Sequence, residues 1–267
     1  MTMIDTAGSQ TRRLSGEANG KIWGARATDW ALIQEPQCAA GYHAVFDKLP
    51  VGSKTRLLDV GCGAGMAMQL AADLGAEVAG IDASAGLLEV ARDRLPGARL
   101  ERGDLEILPF DDDSFDVVTG FNAFQFAADP VAALREARRV TKPGGKVFIM
   151  TWGEPGSMEV TAMVAALKPL LPPMPANASG PFALSEPGKL EELASSAGLT
   201  PRTCSTWTAP GPIRTFLQRS KVWGRRVSRS RRPRPVDRPH WTPHMRQRSP
   251  RSSSPMGAIA SARPSAS

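Results

Sequence analysis

The sequence predicts an α/β fold, a doubly wound and mainly parallel β-sheet with helices on both faces. Short apolar runs such as residues 57–60 and 78–81 have the continuous hydrophobicity of strands that are buried on both sides. Amphipathic helical patterns alternate with these runs. A glycine-rich turn joins the first run to the first such helix, and ligands of open α/β sheets usually bind at that position.

The segment Leu57–Leu70 contains the most informative pattern of the chain. An apolar strand is followed by Gly61, Gly63 and Gly65, and a helical pattern begins at Met66. Glycines are required where a side chain would block a ligand or demand an unfavourable φ. The G-x-G-x-x-G fingerprint of dinucleotide-binding proteins would place its third glycine at position 66, so this spacing differs from it.

The D-x-G-x-G-x-G pattern that Asp59 begins resembles the first motif of class I S-adenosylmethionine-dependent methyltransferases. It is most similar to the small-molecule methyltransferases of the ubiquinone/menaquinone-biosynthesis type, which carry a "type 11" methyltransferase domain. The resemblance implies a Rossmann-like fold, S-adenosyl-L-methionine as cofactor and a domain over residues 51–210. It implies that Asp59, Gly61, Gly63 and Gly65 bind the cofactor. The loop alone is also compatible with a tight structural turn.

The second predicted strand, residues 77–82, ends in an acid that suits a nucleoside. Asp82 lies 21 residues beyond Gly61, where βαβ nucleotide-binding units place a carboxylate on the ribose. A carboxylate accepts from both ribose hydroxyls, so we expect Asp82 and its neighbour Ala83 to contact the cofactor. Dinucleotide enzymes share this feature, which keeps an NAD-dependent reductase as an alternative. Ser84 is predicted to cap the next helix.

The third predicted strand, residues 98–101, leads into Gly103, Asp104 and Leu105. This pair of Gly and Asp resembles the adenine-binding motif of the family, in which the carboxylate accepts from the 6-amino group and the next residue packs beside the ring. The resemblance therefore implies that Asp104 and Leu105 bind adenine. A Gly-Asp pair alone is an ordinary turn, and its weight comes from being the third motif in order.

The fourth predicted strand, residues 115–119, ends opposite the first strand at the switch point. We expect Asn122 to lie near the methionine end of the cofactor and Gln125 near the acceptor, although either could cap the next helix. No N-P-P-Y-type motif follows the strand, which argues against methylation of nucleobases or glutamine. The acids at 111–113 are predicted to form a solvated turn, and no metal site is expected.

The C-terminal half is predicted to complete the sheet only in part. Strand five is expected at 146–150, after a Pro-Gly-Gly turn, and strand six at 203–208. Residues 152–183 are rich in Pro and Met and are predicted to form a substrate-cap insertion. No pattern marks the antiparallel seventh strand that the family fold inserts between strands five and six.

The N-terminal region is predicted to contain a flexible leader, 1–20, and a helical flap, 21–50. Trp23 and Trp30 are seven residues apart and are expected to share a helix face. The resemblance implies that they help to form the substrate pocket; alternatively they are core aromatics. His43 is a candidate general base for an oxygen acceptor, although a lone helical histidine is more often structural or solvated.

Residues 211–267 are predicted to form a disordered tail. Residues 219–267 hold 13 of the 33 Lys and Arg but only one of the 26 acids, which gives this segment a net charge of +12. Residues 1–218 carry 20 basic and 25 acidic residues, a net charge of −5. The tail has so few aliphatic residues that it cannot bury enough apolar surface to offset the loss of chain entropy on folding. A basic arm, an extension without a role and a frameshifted reading frame all remain open. The missing strand favours the frameshift, which would impair activity.

Composition limits the class of protein and its partners. No apolar run is long enough to span a bilayer, and the N-terminus lacks a secretory h-region. The three cysteines, Cys38, Cys62 and Cys204, are few and widely spaced, which indicates reduced thiols and a cytoplasmic protein. We expect a small-molecule acceptor, no membrane and only non-specific contact of the tail with nucleic acid. An RNA-binding protein or RNA methyltransferase that uses the tail is the alternative. The sequence does not predict the oligomeric state.

Overall fold

The computed structural model describes residues 14–157, 160–167 and 180–202. All of them belong to the first of the two units into which the chain divides, residues 1–224. Five parallel strands form one sheet in the order β3-β2-β1-β4-β5. The strands are β1 (Arg56–Val60), β2 (Glu77–Asp82), β3 (Arg99–Arg102), β4 (Phe115–Phe121) and β5 (Thr141–Met150). The order reverses between β1 and β4, which is the switch point.

Eight α-helices lie within the described ranges. They are α1 (Gly16–Gly24), α2 (Ala27–Asp29), α3 (Ala39–Phe46), α4 (Met66–Asp73), α5 (Ala85–Arg94), α6 (Pro130–Val140), α7 (Val160–Leu167) and α8 (Lys189–Ser196). A π-helical turn, Trp30–Gln34, and a 3-10 turn, Glu35–Cys38, join α2 to α3. Within these ranges, no helix is long and apolar enough to cross a membrane.

Alternate residues of the buried strands face opposite sides of the sheet, as the pleat requires. Leu57 and Val117 pack with residues of α3, α4 and α5 in one apolar cluster. Leu58 and Val118 pack with residues of α6 and α8 in another. Helices therefore cover both faces, and the predicted doubly wound α/β fold is confirmed.

Side chains cap the starts of two helices, and the cap at Ser84 confirms a prediction from the sequence. Ser84 Oγ accepts a hydrogen bond of 3.1 Å from the Leu87 backbone at the start of α5. Asp129 Oδ1 accepts one of 2.9 Å from the Ala132 backbone at the start of α6. Each bond satisfies a backbone N–H group that a helix leaves without a partner in its first turn.

Several boundaries differ from the predictions. Helix α1 begins at Gly16, so the flexible leader predicted for 1–20 is wrong for residues 16–20, which pack on the ends of β2 and β3. Strand β5 begins at Thr141, and residues 142–145 bulge out of its register with β4 instead of preceding it. The predicted strand six, the missing seventh strand, Cys204 and the tail at 211–267 lie outside the described residues. So do 158–159 and 168–179 of the predicted substrate cap.

Candidate functional site

The loop between β1 and α4 lies at the switch point and is built from glycines with left-handed backbones. Gly61, Gly63 and Gly65 have φ of 75°, 54° and 84°. A Cβ on Gly61 would also stand 2.5 Å from the Cβ of Ala123, which follows β4. The backbone of Gly61 therefore packs directly on the methyl group of Ala123, and a side chain at position 61 would push the two segments apart.

Asp82 joins the glycine loop to the end of β2. Its Oδ2 accepts a hydrogen bond of 2.9 Å from the Gly63 backbone, and its Oδ1 accepts one of 2.8 Å from the Ser84 backbone. Burial raises the pKa of Asp82, and the backbone hydrogen bonds from Ser84 and Gly63 oppose that shift. The structure thus brings Asp82 to the loop, and Ala83 lies beside it.

Asp59 lies beneath the loop, inside the sheet. Its Oδ1 accepts a hydrogen bond of 2.7 Å from the Thr119 hydroxyl, across the paired strands β1 and β4. Burial raises the pKa of Asp59 to about 7, against the lowering effect of this bond, and the charges of Asp82 and Glu35 raise it further. A carboxyl in this position is easily protonated at neutral pH.

Glu35 is a member of the site that the sequence reasoning missed. It is buried, its Oε1 accepts a hydrogen bond of 3.0 Å from the backbone of Met66, and its Oε2 accepts one of 2.8 Å from Arg94. Glu35 therefore caps α4, whose N-cap Gly65 has no side chain to do so. The only signal in the sequence is a carboxylate within the apolar flap, and that does not indicate its partners.

Three carboxylates thus surround the loop with little positive charge to balance them. In the described part of the chain, Arg94 is the one cation that forms an ion pair with Asp59, Asp82 or Glu35. Burial raises the pKa of Glu35 as well, although Arg94 opposes the shift. Because like charges in a buried site disfavour one another's ionised forms, this site favours a cationic ligand.

The predicted adenine motif reaches the same loop. Asp104 is buried; its Oδ1 accepts a hydrogen bond of 3.0 Å from the Glu106 backbone, and its Oδ2 accepts one from the Gly16 backbone. A Cβ on Gly61 would stand 3.8 Å from the side chain of Leu105. All three sequence motifs therefore converge at the carboxyl ends of β1, β2 and β3.

Buried polar atoms without partners lie at the ends of β4 and β5. Among the described residues, Asn122 Oδ1, both amide atoms of Gln125 and Thr151 Oγ1 have no hydrogen-bond partner. Asn122 has φ of 51° and donates its backbone N–H to Met150. Because Asp129 caps α6, neither Asn122 nor Gln125 does so. Unpaired buried polar atoms each cost about 1–3 kcal/mol, so their concentration here indicates a ligand position.

An aromatic cluster covers the loop from the N-terminal side. The ring centroids of Trp23 and Trp30 are 5.0 Å apart, and those of Trp23 and Phe126 are 5.4 Å apart. A Cβ on Gly63 would stand 3.5 Å from Trp30 Nε1. The two tryptophans meet although they lie on different helical segments, not on the single helix that their spacing predicts.

His43 does not belong to this site. It is exposed on α3, whose other side buries Tyr42, Val45 and Phe46. A general base must reach the proton that it removes. The structure therefore does not support His43 as the general base.

The fold and the loop define a Rossmann-like nucleotide-binding domain. A family model described as a methyltransferase domain matches residues 58–149, from β1 into β5. Residues 58–149 are therefore similar to a methyltransferase domain, and the class I methyltransferases that the glycine loop resembles use S-adenosyl-L-methionine as cofactor. Its two cationic groups, the sulfonium and the ammonium, fit the surplus of buried carboxylates.

Curated relatives match part of the chain. A demethylmenaquinone methyltransferase of Renibacterium salmoninarum is 41% identical over 100 residues, 38% of this chain and 42% of the relative. A malonyl-[acyl-carrier protein] O-methyltransferase of Erwinia pyrifoliae is 41% identical over 111 residues, 42% of each protein. The chain therefore spans less than half the length of these relatives.

Solved structures agree with the fold. The YcgJ protein of Bacillus subtilis has a TM-score of 0.53 at 25% identity, over 68% of this chain and 77% of that chain. A SAM-dependent methyltransferase of Thermotoga maritima has a TM-score of 0.53 at 24% identity, over 68% of this chain and 80% of that chain.

The substitution Gly61→Ala tests the direct contact of the loop with the segment after β4. It adds a Cβ at a positive φ and 2.5 Å from Ala123 Cβ. We expect the free energy of unfolding, from urea titration, to fall by about 1–3 kcal/mol. Gly97→Ala is the matched control, because nothing lies within 4 Å of its Cβ position. Equal stability of the two variants would contradict this assignment.

The raised pKa of Asp59 predicts a dependence of stability on pH. The ordinary pKa is 3.8 and the folded value is about 7, so folding favours the protonated form. This contribution is complete below pH 3.8 and is lost as the pH rises through 7. Urea unfolding of the wild type should show a loss on the order of 4 kcal/mol across that range. Asp59→Asn cannot ionise and should show a shallower slope; an unchanged slope would refute the shift.

Proposed function

We propose that this protein transfers the methyl group of S-adenosylmethionine to a small-molecule acceptor by in-line displacement. The observation that carries the proposal is the glycine loop at the switch point, which is surrounded by three buried acids. These are Asp59, Asp82 and Glu35, of which Glu35 forms an ion pair with Arg94. The methyltransferase-domain match and the named relatives support it over an NAD-dependent reductase or an RNA-binding protein.

The bound cofactor supplies an electrophilic methyl group on a sulfonium sulfur. Asp82 keeps lone pairs beyond those that Gly63 and Ser84 use, and we assign these to the ribose hydroxyls. We assign Asp104 and Leu105 to the binding of adenine. We assign to Asp59 and Glu35 the role of balancing the positive charge of the cofactor. Displacement at a methyl group needs chiefly a nucleophile held in line in a site shielded from water.

We place the acceptor beside Asn122, Gln125 and Thr151. Their unpaired atoms include a hydrogen-bond donor and several acceptors, which suits a ligand with a hydroxyl, carbonyl or amino group. Trp23, Trp30 and Phe126 shield the same region with apolar rings. The names of the matched relatives give demethylmenaquinone and malonyl-[acyl-carrier protein] as their acceptors, the latter methylated on oxygen. We place the enzyme in the cytoplasm, in keeping with its free buried thiols at Cys38 and Cys62.

Asp82→Ala tests the cofactor assignment. Removing the carboxylate takes away the ribose contact and the bond that holds Gly63, so we expect S-adenosylmethionine binding, measured by calorimetry, to weaken at least about tenfold. Asp93→Ala, an exposed acid on α5, is the control and should bind as the wild type does. Affinity like that of the wild type in Asp82→Ala would refute the ribose assignment. Tighter binding of NADH than of S-adenosylmethionine would favour the reductase.

Gln125→Met tests the acceptor assignment without knowledge of the acceptor. The substitution removes two unpaired buried polar atoms at similar volume. We therefore expect the free energy of unfolding to rise by about 1 kcal/mol while cofactor affinity is unchanged. Gln37→Met, at an exposed glutamine, is the control. A loss of stability in Gln125→Met would show that this amide has a structural role instead.

A further inference from the structure

Helix α1 lies across the part of the site that we assign to adenosine. Its first residue, Gly16, donates a backbone hydrogen bond to Asp104 Oδ2. Asn19 Nδ2 donates one of 3.0 Å to the carbonyl of Phe126, in the turn after β4. The helix therefore bridges the loops that follow β3 and β4, both at the ligand-binding edge of the sheet.

Three glycines bring the backbone of α1 against the end of β2. Gly16, Gly20 and Gly24 recur every four residues and so share one face of the helix. A Cβ on Gly20 would stand 2.4 Å from the carbonyl oxygen of Ala83, and one on Gly24 would stand 2.9 Å from Ser84 Oγ. At Gly20 the contact is backbone against backbone, whereas Gly24 lies against the side chain of Ser84 and Gly16 against that of Asp104.

In the described part of the chain, α1 is held by the hydrogen bonds of Gly16 and Asn19, by its glycine face and by the ring contacts of Trp23. The helix buries none of its residues fully and has no side-chain cap at its N-terminus. Each glycine in a helix interior costs about 1 kcal/mol relative to alanine, and isolated helices shorter than about 12–15 residues are marginal in water. Segments with few buried contacts open at low free energy. Displacement of α1 breaks these contacts but exposes no fully buried residue of the helix itself.

We propose that α1 is a displaceable lid that competes with the adenosine half of the cofactor for Asp104 and the Ala83 surface. This inference rests on the proposed function. The Gly16 backbone lies against Asp104 Oδ2 and the Gly20 backbone against the carbonyl of Ala83, so α1 occupies the space that we assign to adenosine. The cofactor binds after α1 moves away, so its apparent affinity is reduced by the fraction of molecules in which the lid is open.

Gly20→Ala opens the lid without altering the assigned cofactor residues. The added Cβ meets the Ala83 carbonyl, so the closed position is disfavoured. We expect calorimetry to show binding of both S-adenosylmethionine and S-adenosylhomocysteine that is about three- to tenfold tighter than in the wild type. Gly97→Ala is the control and should not change either affinity. Weaker or unchanged binding in Gly20→Ala would overturn the proposal, because a helix that merely covers a bound cofactor stabilises it.

Asn19→Ala provides a second variant that introduces no clash. It removes the hydrogen bond to Phe126, so we expect tighter cofactor binding than in the wild type, but by a smaller factor than in Gly20→Ala. Hydrogen exchange of the wild type gives an independent readout: adding cofactor should increase exchange of the α1 amides, and protection would refute the lid.

The two proposals fail differently. If the wild type binds cofactor and neither lid variant binds it more tightly, only the lid is refuted. If neither the wild type nor the variants bind it, the proposed function fails and the lid with it. Binding by Gly20→Ala alone would support both.

Discussion

The burial of three carboxylates around a glycine-rich loop is the interaction on which the rest of the site depends. Asp82 holds the backbone of Gly63, and Glu35 holds that of Met66, so the two carboxylates fix the middle and the end of the loop from β2 and from the N-terminal flap. Each carboxylate loses hydration that its hydrogen bonds replace only in part, since burial raises the pKa of all three acids. The arrangement keeps negative potential in a site that a cationic ligand neutralises.

The sequence predicts those parts of the fold and site whose determinants are local. A strand, a glycine turn and a helix are adjacent in the chain, and the caps at Ser84 and Asp129 act within their own first turns. The convergence of Asp82 and Asp104 on the loop follows from strand order, because the carboxyl ends of parallel strands lie at one edge. The loop, Asp82 and the Ser84 cap therefore follow from local pattern and spacing, whereas Asp104 also required the order of the three motifs.

The elements that the sequence does not predict depend on contacts between distant residues. Glu35 is 31 residues from its partner Met66 and 59 from Arg94, and Gly16 is 88 residues from Asp104. No periodicity encodes such pairs. The prediction of a flexible leader was wrong for residues 16–20 for the same reason. Helix α1 has little helical propensity of its own, and it forms where it packs against distant elements. The structure does not support His43 as the general base, because the residue type alone suggested this role, whereas only the fold shows that the residue is exposed.

The charge of the site and the position of α1 together bear on turnover. Methyl transfer converts the sulfonium into a neutral thioether, so under the proposed function the product leaves Asp59, Asp82 and Glu35 with one positive charge fewer. These carboxylates therefore bind the reactant more strongly than the product. Under the proposed lid, the Gly16 backbone returns to Asp104 as the adenine leaves. The two proposals together thus assign entry of the charged cofactor to the buried acids and release of the neutral product to the return of α1.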